Sequence, residues 1–408
     1  MRKLSSENKI IKMNVIKKSC IVILCLLMVS NFSYSQSVFK KLKETFKGSE
    51  NSTASSNSKS ASSSASSNSK KGNGNTSTNF ANQGRIWYIS SANGSGQLGS
   101  KERPARDLGN IIHHLKPNDV VYIAGGTYMS KGKRGADEIN VPVKIFGGFD
   151  ESFTTRDPWG ATKTIFTGTN EYMKLTTPRL YIRTDQQRES NGQLSTGSEI
   201  VVDGIIFDNG PRNRYHEDKG LAIRRQASPN SGKNPSPESG GVVITASKYT
   251  NVTVKNCVVM NTAPTQGALS VRIFHGATGI IQNNLCINNT GYGINISSGY
   301  TGSDANLVPK FIVSNNTSLF NWKHDPIASY GGNALAVDKY LTATIQNNVF
   351  GLGHFGGIYN KGSKIVLNNN LFTGNLKYDY KEINDMMSVD YILDCLLYTS
   401  DAADEAKC

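Results

Sequence analysis

The amino-acid sequence predicts an all-β fold, a solenoid of stacked β-coils called a parallel β-helix, and three observations support this prediction. First, a five-residue motif recurs. It has an aliphatic residue, a polar residue, Asn, usually a second Asn, and an apolar residue or Thr; the copies lie at 254–258, 281–285, 313–317, 345–349 and 367–371. Second, the steps between copies are 27, 32, 32 and 22 residues, a spacing typical of solenoids. Third, Gly (39) is abundant and Pro (12) is scarce, which favours a turn-dense β chain.

Each copy of the motif predicts a strand, a tight corner and a second strand, because short runs of alternating apolar residues flank the Asn pair. Asn suits such a corner because it tolerates the left-handed backbone region and hydrogen-bonds locally. Asn side chains stacked in successive coils also form an amide ladder. A third strand is expected before each corner; these strands lie at 242–245, 269–272, 294–297, 335–338 and 358–360.

In these repeats the chain resembles the right-handed parallel β-helix (pectin-lyase-like) superfamily, whose generic repeat contains the same Asn-pair corner. The resemblance covers about residues 86–394, and a weaker copy of the motif at 201–205 extends it towards the N-terminus. It implies right-handed coils. Because this fold hosts lyases, hydrolases and adhesins, the resemblance implies much more about fold than about activity.

The first coil is expected to be closed by a helix. A strand at 85–90 is followed by apolar residues at helical spacing within 105–115, and 116–119 ends that pattern before a strand at 120–128. A helix here would cover backbone groups that an open stack of strands leaves unpaired. His113 and His114 fall on this segment and are expected at the surface rather than on a ligand.

The N-terminal 36 residues predict a signal peptide. Basic residues precede the apolar run 20–29, and small residues suit cleavage before Gln36. The run is too short to span a bilayer as a helix, and Met13 is the expected start. We therefore expect export to the periplasm, the cell surface or the medium.

The flanks of the β-helix differ from it in composition. Residues 37–80 are rich in Ser, Asn and Lys and cannot bury a core, which predicts a disordered linker. Residues 395–408 break the repeat and resemble translated sequencing-adapter DNA. The expected β-helix is therefore 81–394, truncated near its C-terminus.

Two cysteines remain in this domain, Cys257 and Cys286. When the coils are aligned, the two cysteines lie two positions apart along the repeat and one coil apart, which is too far for a disulfide. Both are therefore expected to be buried apolar side chains. The sequence has no zinc pattern and no clear calcium signature, and no cofactor is expected.

The chain is basic, with a formal net charge of +14, more than half of it before residue 81. A basic exported protein favours acidic partners such as uronate or sulfated glycans, although a solvated basic surface explains the charge equally well. The basic residues are dispersed rather than striped along one element, which argues against nucleic acid. A monomer is expected.

In enzymes of the resembled superfamily, glycans lie along an outer sheet. Aligning the coils predicts two outward columns here. One contains Thr245, Arg272, Ser297 and Asp338; the other contains Val243, Ser270, Asn295 and Ala336, with Tyr359. Beside them, 208–240 is a 33-residue insertion, and long insertions in compact folds are often functional. Its candidate substrate-binding residues are Arg212, Arg214, Arg224 and Arg225.

Further candidate substrate-binding residues are predicted on the wall and floor of this groove. They are Tyr292, Trp322, His324, Asp325 and Tyr359. Aromatic rings suit the C–H faces of sugars, and arginines suit carboxylate or sulfate groups.

Three functions stay open at the level of sequence. A polysaccharide lyase would use Arg272 to neutralise a uronate carboxylate and His216 or Lys219 as the base. A glycoside hydrolase would need two carboxylates, Asp338 with Asp325 or Glu217. A non-catalytic adhesin or structural β-helix protein needs neither set.

Overall fold

The structure is a computed structural model that describes residues 84–96, 98–130, 136–167, 178–185, 198–209, 241–262, 267–322, 331–384 and 387–391, all in the compact unit Thr78–Cys408. The predicted signal peptide, the linker, the C-terminal segment 395–408 and most of the 208–240 insertion lie outside the described residues. The assignments made for those segments therefore stay predictions.

The described part of the chain contains 26 strands. They are β1 (Ile86–Ile89), β2 (Val120–Ala124), β3 (Gly126–Met129), β4 (Asp137–Ile139), β5 (Lys144–Phe149), β6 (Thr164–Thr167), β7 (Leu180–Arg183), β8 (Glu199–Asp203), β9 (Ile205–Asp208), β10 (Val242–Thr245), β11 (Asn251–Lys255), β12 (Val258–Met260), β13 (Gly267–Ile273), β14 (Thr278–Gln282), β15 (Leu285–Ile287), β16 (Tyr292–Ser298), β17 (Lys310–Ser314), β18 (Thr317–Leu319), β19 (Asn333–Val337), β20 (Thr342–Gln346), β21 (Val349–Gly351), β22 (Gly356–Asn360), β23 (Lys364–Asn368), β24 (Leu371–Thr373), β25 (Tyr378–Asn384) and β26 (Met387–Tyr391).

The strands form three sheets, and from β2 onward the chain visits them in turn. Sheet A has the order β1-β2-β5-β8-β11-β14-β17-β20-β23, and sheet B runs from β3 to β24. Sheet C runs from β4 to β25 and ends with β26. Neighbouring strands are parallel except for the pair β25 and β26. The predicted parallel β-helix with three strands per coil is confirmed.

The Asn-pair corner between sheets A and B has the predicted geometry. The first Asn of each pair has a left-handed backbone, with φ between 51° and 56°; these residues are Asn256, Asn283, Asn315, Asn347 and Asn369. The second Asn is buried and forms the expected ladder. Asn316 Nδ2 donates to Asn348 Oδ1 at 3.0 Å, and Asn316 Oδ1 accepts from Asn284 Nδ2 at 2.9 Å. Each buried amide is therefore satisfied by its neighbours one coil away.

A second left-handed corner, between sheets B and C, was not predicted. It lies at Asn261, Asn288, Phe320, Leu352 and Gly374. Since only two of these five positions are Asn, the sequence carries no repeated signal for this corner. Bulky residues such as Phe320 and Leu352 seldom adopt this conformation.

The inward side chains form one continuous core. All eight predicted inward residues of sheet C are fully buried; they are Val242, Ile244, Leu269, Val271, Ile294, Ile296, Leu335 and Val337. Burying one such side chain contributes about 1.5–3 kcal/mol. The core therefore supplies the main force that stacks the coils.

The expected capping helix is present as two short 3-10 helices, Leu108–Asn110 and Ile112–His114. Asp107 caps the first, since its carboxylate accepts from the Asn110 N–H. A 3-10 helix repeats every three residues, so the spacing of Leu108 and Ile111 fits it as well as it fits an α-helix. Leu108 and Ile111 join the core, and the second helix packs against β4, the first strand of sheet C.

Both cysteines of the domain are buried and free, as predicted. Cys286 is in register with Val259, whereas the Cys257 N–H donates to Asn284 Oδ1 at 3.0 Å. Burial raises the pKa of Cys257 to about 12. Both thiols are therefore inert at neutral pH.

The first coils also contain a buried ion pair that the sequence did not indicate. The fully buried Arg179 places Nη1 2.5 Å from Asp137 Oδ2. Its Nε donates to the Thr167 carbonyl at 2.6 Å and its Nη2 to the Tyr128 carbonyl at 2.9 Å. These contacts fix the N-terminal coils around one guanidinium group.

Candidate functional site

The predicted columns on the outer face of sheet C are in register, but several of their members are buried and Arg272 is exposed; the buried members are Ser270, Asn295, Ser297 and Ala336. Thr245 is in register with Arg272, and Arg272 with Ser297. The neighbouring column continues from Ser270 through Asn295 and Ala336 to Tyr359 and then Lys381, which the sequence did not indicate. The placement of Tyr359 in this column is confirmed.

A third column arises because the strands of sheet C begin irregularly. In β19 the consecutive residues Ala334 and Leu335 both belong to the hydrophobic core, so the alternation of inward and outward side chains is broken there. Four residues at the strand starts are in register with one another; they are Tyr292, Asn333, Gly356 and Tyr378. This irregularity brings Tyr292 close to the outward side chains of later coils.

Four side chains from three coils meet on this face; Tyr292, Asp338, Tyr359 and Lys361 are called the sheet C cluster below. Lys361 Nζ lies 2.7 Å from Asp338 Oδ1. The same ammonium lies 5.7 Å from the centre of the Tyr292 ring and 5.9 Å from that of Tyr359. Both members of the ion pair are about one-third exposed, so water and ligands can reach them.

The environment of Tyr292 keeps its hydroxyl protonated. Burial is the main reason that the pKa of Tyr292 is raised, and nearby Tyr359, Tyr378 and Asp338 raise it further. A tyrosine that stays neutral remains a hydrogen-bond donor throughout the physiological pH range. The cluster therefore combines a cation, a carboxylate and a phenol that can donate.

The next coil extends the cluster through Tyr378. Asn333 Nδ2 donates to the Tyr378 hydroxyl at 2.8 Å, two coils away. Gly356 lies between them, and a Cβ atom there would approach the Tyr378 ring to 2.4 Å. The absence of a side chain at Gly356 therefore allows the ring to lie across the coil. Lys381 Nζ is 5.6 Å from the centre of the same ring.

Arg272 and Asp338, the candidate catalytic residues on the sheet, share this face without touching. They lie two coils apart, which corresponds to about 10 Å between backbones. Arg272 is exposed, its guanidinium lies 5.5 Å from the Phe274 ring, and among the described residues it forms no ion pair. Asp338 instead pairs with Lys361, which was not among the predicted site residues although it continues the same column.

Trp322 lies at the corner between sheets B and C. Its indole N–H donates to Asn288 Oδ1 at 2.9 Å, and its backbone bridges to Thr290. The indole thus continues the row of corner asparagines. The other candidates lie outside the described residues; they are Arg212, Arg214, His216, Glu217, Lys219, Arg224, Arg225, His324 and Asp325.

Neither a metal site nor a membrane span is found where the structure describes the chain. Its described residues contain no group of three or more His, Cys, Asp or Glu side chains that could hold an ion. No helix among them is long and apolar enough to cross a membrane.

No protein-family model and no curated protein matches the chain. Among solved structures, it is similar to a complex of XylC with xylose, with 9% identity, 73% of this chain and 68% of that chain covered, and a TM-score of 0.29. It is also similar to a rhamnogalacturonan lyase, with 13% identity, 75% and 79% covered, and a TM-score of 0.27.

Proposed function

We propose that the protein binds polysaccharide along the outer face of sheet C, and that acidic glycans are its preferred ligands. The observation that supports this is the sheet C cluster, in which tyrosine rings from successive coils lie around an ion pair that is about one-third exposed. A glycan chain lying across the coils would meet these groups one after another.

Each group of the cluster has a role in such binding. The Tyr359 and Tyr378 rings can stack against the C–H faces of sugars. Lys361 and Lys381 can neutralise uronate or sulfate groups, and the Tyr292 hydroxyl can donate to a sugar oxygen. Asp338 can accept from sugar hydroxyls with its second oxygen while it holds Lys361 in place.

The proposed setting is outside the cytoplasm. The basic and apolar run before Gln36 supports export, and the Ser/Asn/Lys-rich segment 37–80 would then act as a spacer. A non-catalytic adhesin in this setting needs only the binding face.

Catalysis is a second candidate because Arg272 is an exposed cation without an acidic partner among the described residues. It could neutralise a uronate carboxylate and so acidify the neighbouring C–H, as a lyase requires. Lyase action creates unsaturated sugar ends that absorb in the near ultraviolet. An increase in absorbance with polygalacturonate that disappears in Arg272→Ala would establish a lyase, and a flat trace would leave binding alone.

The test of binding uses calorimetry with an oligogalacturonate hexamer, a heparin hexasaccharide and neutral xylohexaose. We expect the full chain to bind at least one acidic ligand more tightly than the neutral one, and Lys361→Met to remove that preference. Lys364→Met is the matched control, because Lys364 is an exposed lysine on sheet A. Equal losses in both variants would show only a general charge effect and would refute the proposed face.

A further inference from the structure

Three aromatic rings contact one another along the edge where sheet C turns into sheet A, the first pair edge to face at 86° and the second tilted at 57°. They belong to Tyr249, His275 and Tyr300, which lie in three successive turns between these sheets; they are called the C–A stack below. The ring centres of Tyr249 and His275 are 5.4 Å apart, and those of His275 and Tyr300 are 5.5 Å apart. Tyr249 is 46% exposed, so one end of the stack is open to ligands.

The backbone of Tyr249 is unusual for a residue of its size. Its φ is 55°, in the left-handed region that a bulky L-residue rarely adopts. In the next coil the equivalent position is Gly276, with a φ of 70°. Glycine meets the needs of this turn without strain, so the turn itself does not explain a tyrosine here.

The Tyr249 ring also packs directly over Gly276. A Cβ atom at Gly276 would come within 2.1 Å of Tyr249 Cδ1. The ring therefore contacts the backbone of the next coil on one side and keeps exposed surface on the other. The turn thus holds a strained tyrosine in a fixed position.

The charge around the stack suits an uncharged ring at its centre. Burial, and then the nearby Lys248, lower the pKa of His275. A neutral imidazole has an apolar face like that of the tyrosines. Arg272, the last exposed side chain of β13 on the sheet C face, lies two residues before Phe274 and three before His275. His275, at the centre of the C–A stack, is therefore only three residues along the chain from the proposed binding face.

We propose that the C–A stack is a second carbohydrate-contact site, where an oligosaccharide packs against the aromatic surface of Tyr249 and its neighbours at the edge of sheet C. Contact with a sugar C–H face needs exposed aromatic surface. Tyr249 provides it, and the half-buried rings of His275 and Tyr300 extend the row. The inference takes its ligand class from the proposed function, but it concerns other residues and another mode of contact. A second copy of this chain seated on the rings is the alternative occupant.

The experiment measures calorimetric binding of the same three oligosaccharides to Tyr249→Gly in the full chain. Glycine fits the left-handed backbone, so we expect a melting temperature that is unchanged or higher. Affinity for at least one oligosaccharide should fall about three- to tenfold, the range for loss of one aromatic contact. Tyr249→Phe, which keeps the ring, should bind like the unchanged protein.

Tyr340→Gly is the matched control. Tyr340 is 54% exposed and has a φ of 64° at an equivalent turn, and Gly362 takes the same position one coil later. Among the described residues Tyr340 has no ring partner, and it is absent from the stack. Its removal repeats the change in backbone strain and exposed surface without touching the three rings, and it should leave affinity unchanged.

The outcomes separate this inference from the proposed function. Weaker binding in Tyr249→Gly alone supports the stack and refutes the sheet C cluster. Weaker binding in Lys361→Met alone supports the sheet C cluster and refutes the C–A stack. Absence of binding by the unchanged protein overturns both proposals. Equal losses in Tyr249→Gly and Tyr340→Gly also overturn the stack, as does a concentration-dependent dimer that Tyr249→Gly abolishes while sugar binding persists.

Discussion

The N-terminal coils and the later coils of this solenoid have the same three-sheet architecture but are held together differently. In the later coils one buried asparagine per coil repeats the same contact, as in the pairs Asn284–Asn316 and Asn316–Asn348. The first coils instead use a single buried guanidinium, Arg179, that binds one carboxylate and two carbonyls. Repetition distributes stability along the axis, whereas the ion pair concentrates it at one point.

The two regions join at Asp203, which is almost fully buried. Arg156 reaches it from the N-terminal side, with Nη2 2.6 Å from Oδ1. Asn256 reaches it from the other side, with Nδ2 2.8 Å from the same oxygen. Asp203 thus connects the charged contacts of the first coils to the exposed row of corner asparagines. In that row, Asn283 Nδ2 donates to Asn256 Oδ1.

The sharpest test of this comparison is Arg179→Met, for which we expect the largest effect. Losing the arginine leaves Asp137 buried without its partner, which costs about 3–5 kcal/mol of unfolding free energy. Denaturant unfolding followed by tryptophan fluorescence, to which the buried Trp87 of the N-terminal coils contributes, measures it. Arg183→Met is the control, since Arg183 forms a partly exposed pair with Asp185 and should cost less than about 1 kcal/mol. Equal effects in the two variants would contradict the account.

Removing one rung of the ladder should cost less. Asn316→Ala leaves the N–H groups of Asn284 without their acceptor, and we expect a loss of about 1–3 kcal/mol in unfolding free energy. Asn315→Gly is the neighbouring control, because Asn315 is exposed and glycine accepts its φ of 56°. We expect that variant to stay within about 0.5 kcal/mol of the unchanged protein. Greater loss in Asn315→Gly would show that the corner backbone, rather than the buried amide, determines stability.

On the binding face, Gly356→Ala should weaken ligand binding and also lower the melting temperature. The added methyl meets the Tyr378 ring at 2.4 Å and the Tyr378 carbonyl oxygen at 2.5 Å, so both must shift and the hydrogen bond to Asn333 breaks. We expect a fall in glycan affinity of about three- to tenfold, as for loss of one aromatic contact. Calorimetry and a melting curve measure the two quantities. Unchanged affinity would remove Tyr378 from the site.

The smallest expected effect concerns the titration of His275. Its pKa is lowered, so the imidazolium should form only at a pH below the usual histidine midpoint. Burial is the larger cause and Lys248 the smaller, so Lys248→Met should raise the midpoint only part of the way. An NMR titration of the imidazole protons measures both. A midpoint above the usual histidine value would show that the ring is not in the described environment.

The sequence predicted the later coils well because their signals repeat. Asn at a left-handed corner, an apolar residue at each inward position and a constant register each leave a pattern that recurs from 254 to 371. The buried pair of Arg179 and Asp137 occurs once, and the two residues are 42 positions apart. Nothing in a single sequence marks such a pair.

The candidate site was predicted only in part for a similar reason. The outward columns follow from strand alternation, which placed Arg272, Asp338 and Tyr359 correctly on one face. The partnership of Asp338 with Lys361 and the approach of Tyr292 depend on irregular strand starts, which alternation does not describe. The C–A stack was not predicted, because glycine or asparagine, and not tyrosine, is expected at left-handed turns.

Hydroxyl-radical footprinting of the full chain with and without the oligogalacturonate hexamer tests the central claim most directly. If the glycan lies on the outer face of sheet C, oxidation of Tyr359 and Tyr378 should slow on binding. Val366 on sheet A and Leu371 on sheet B, both exposed side chains between Tyr359 and Tyr378 in the chain, should react as before. Protection of Val366 or Leu371 with no change at Tyr359 and Tyr378 would place the ligand elsewhere and contradict the account.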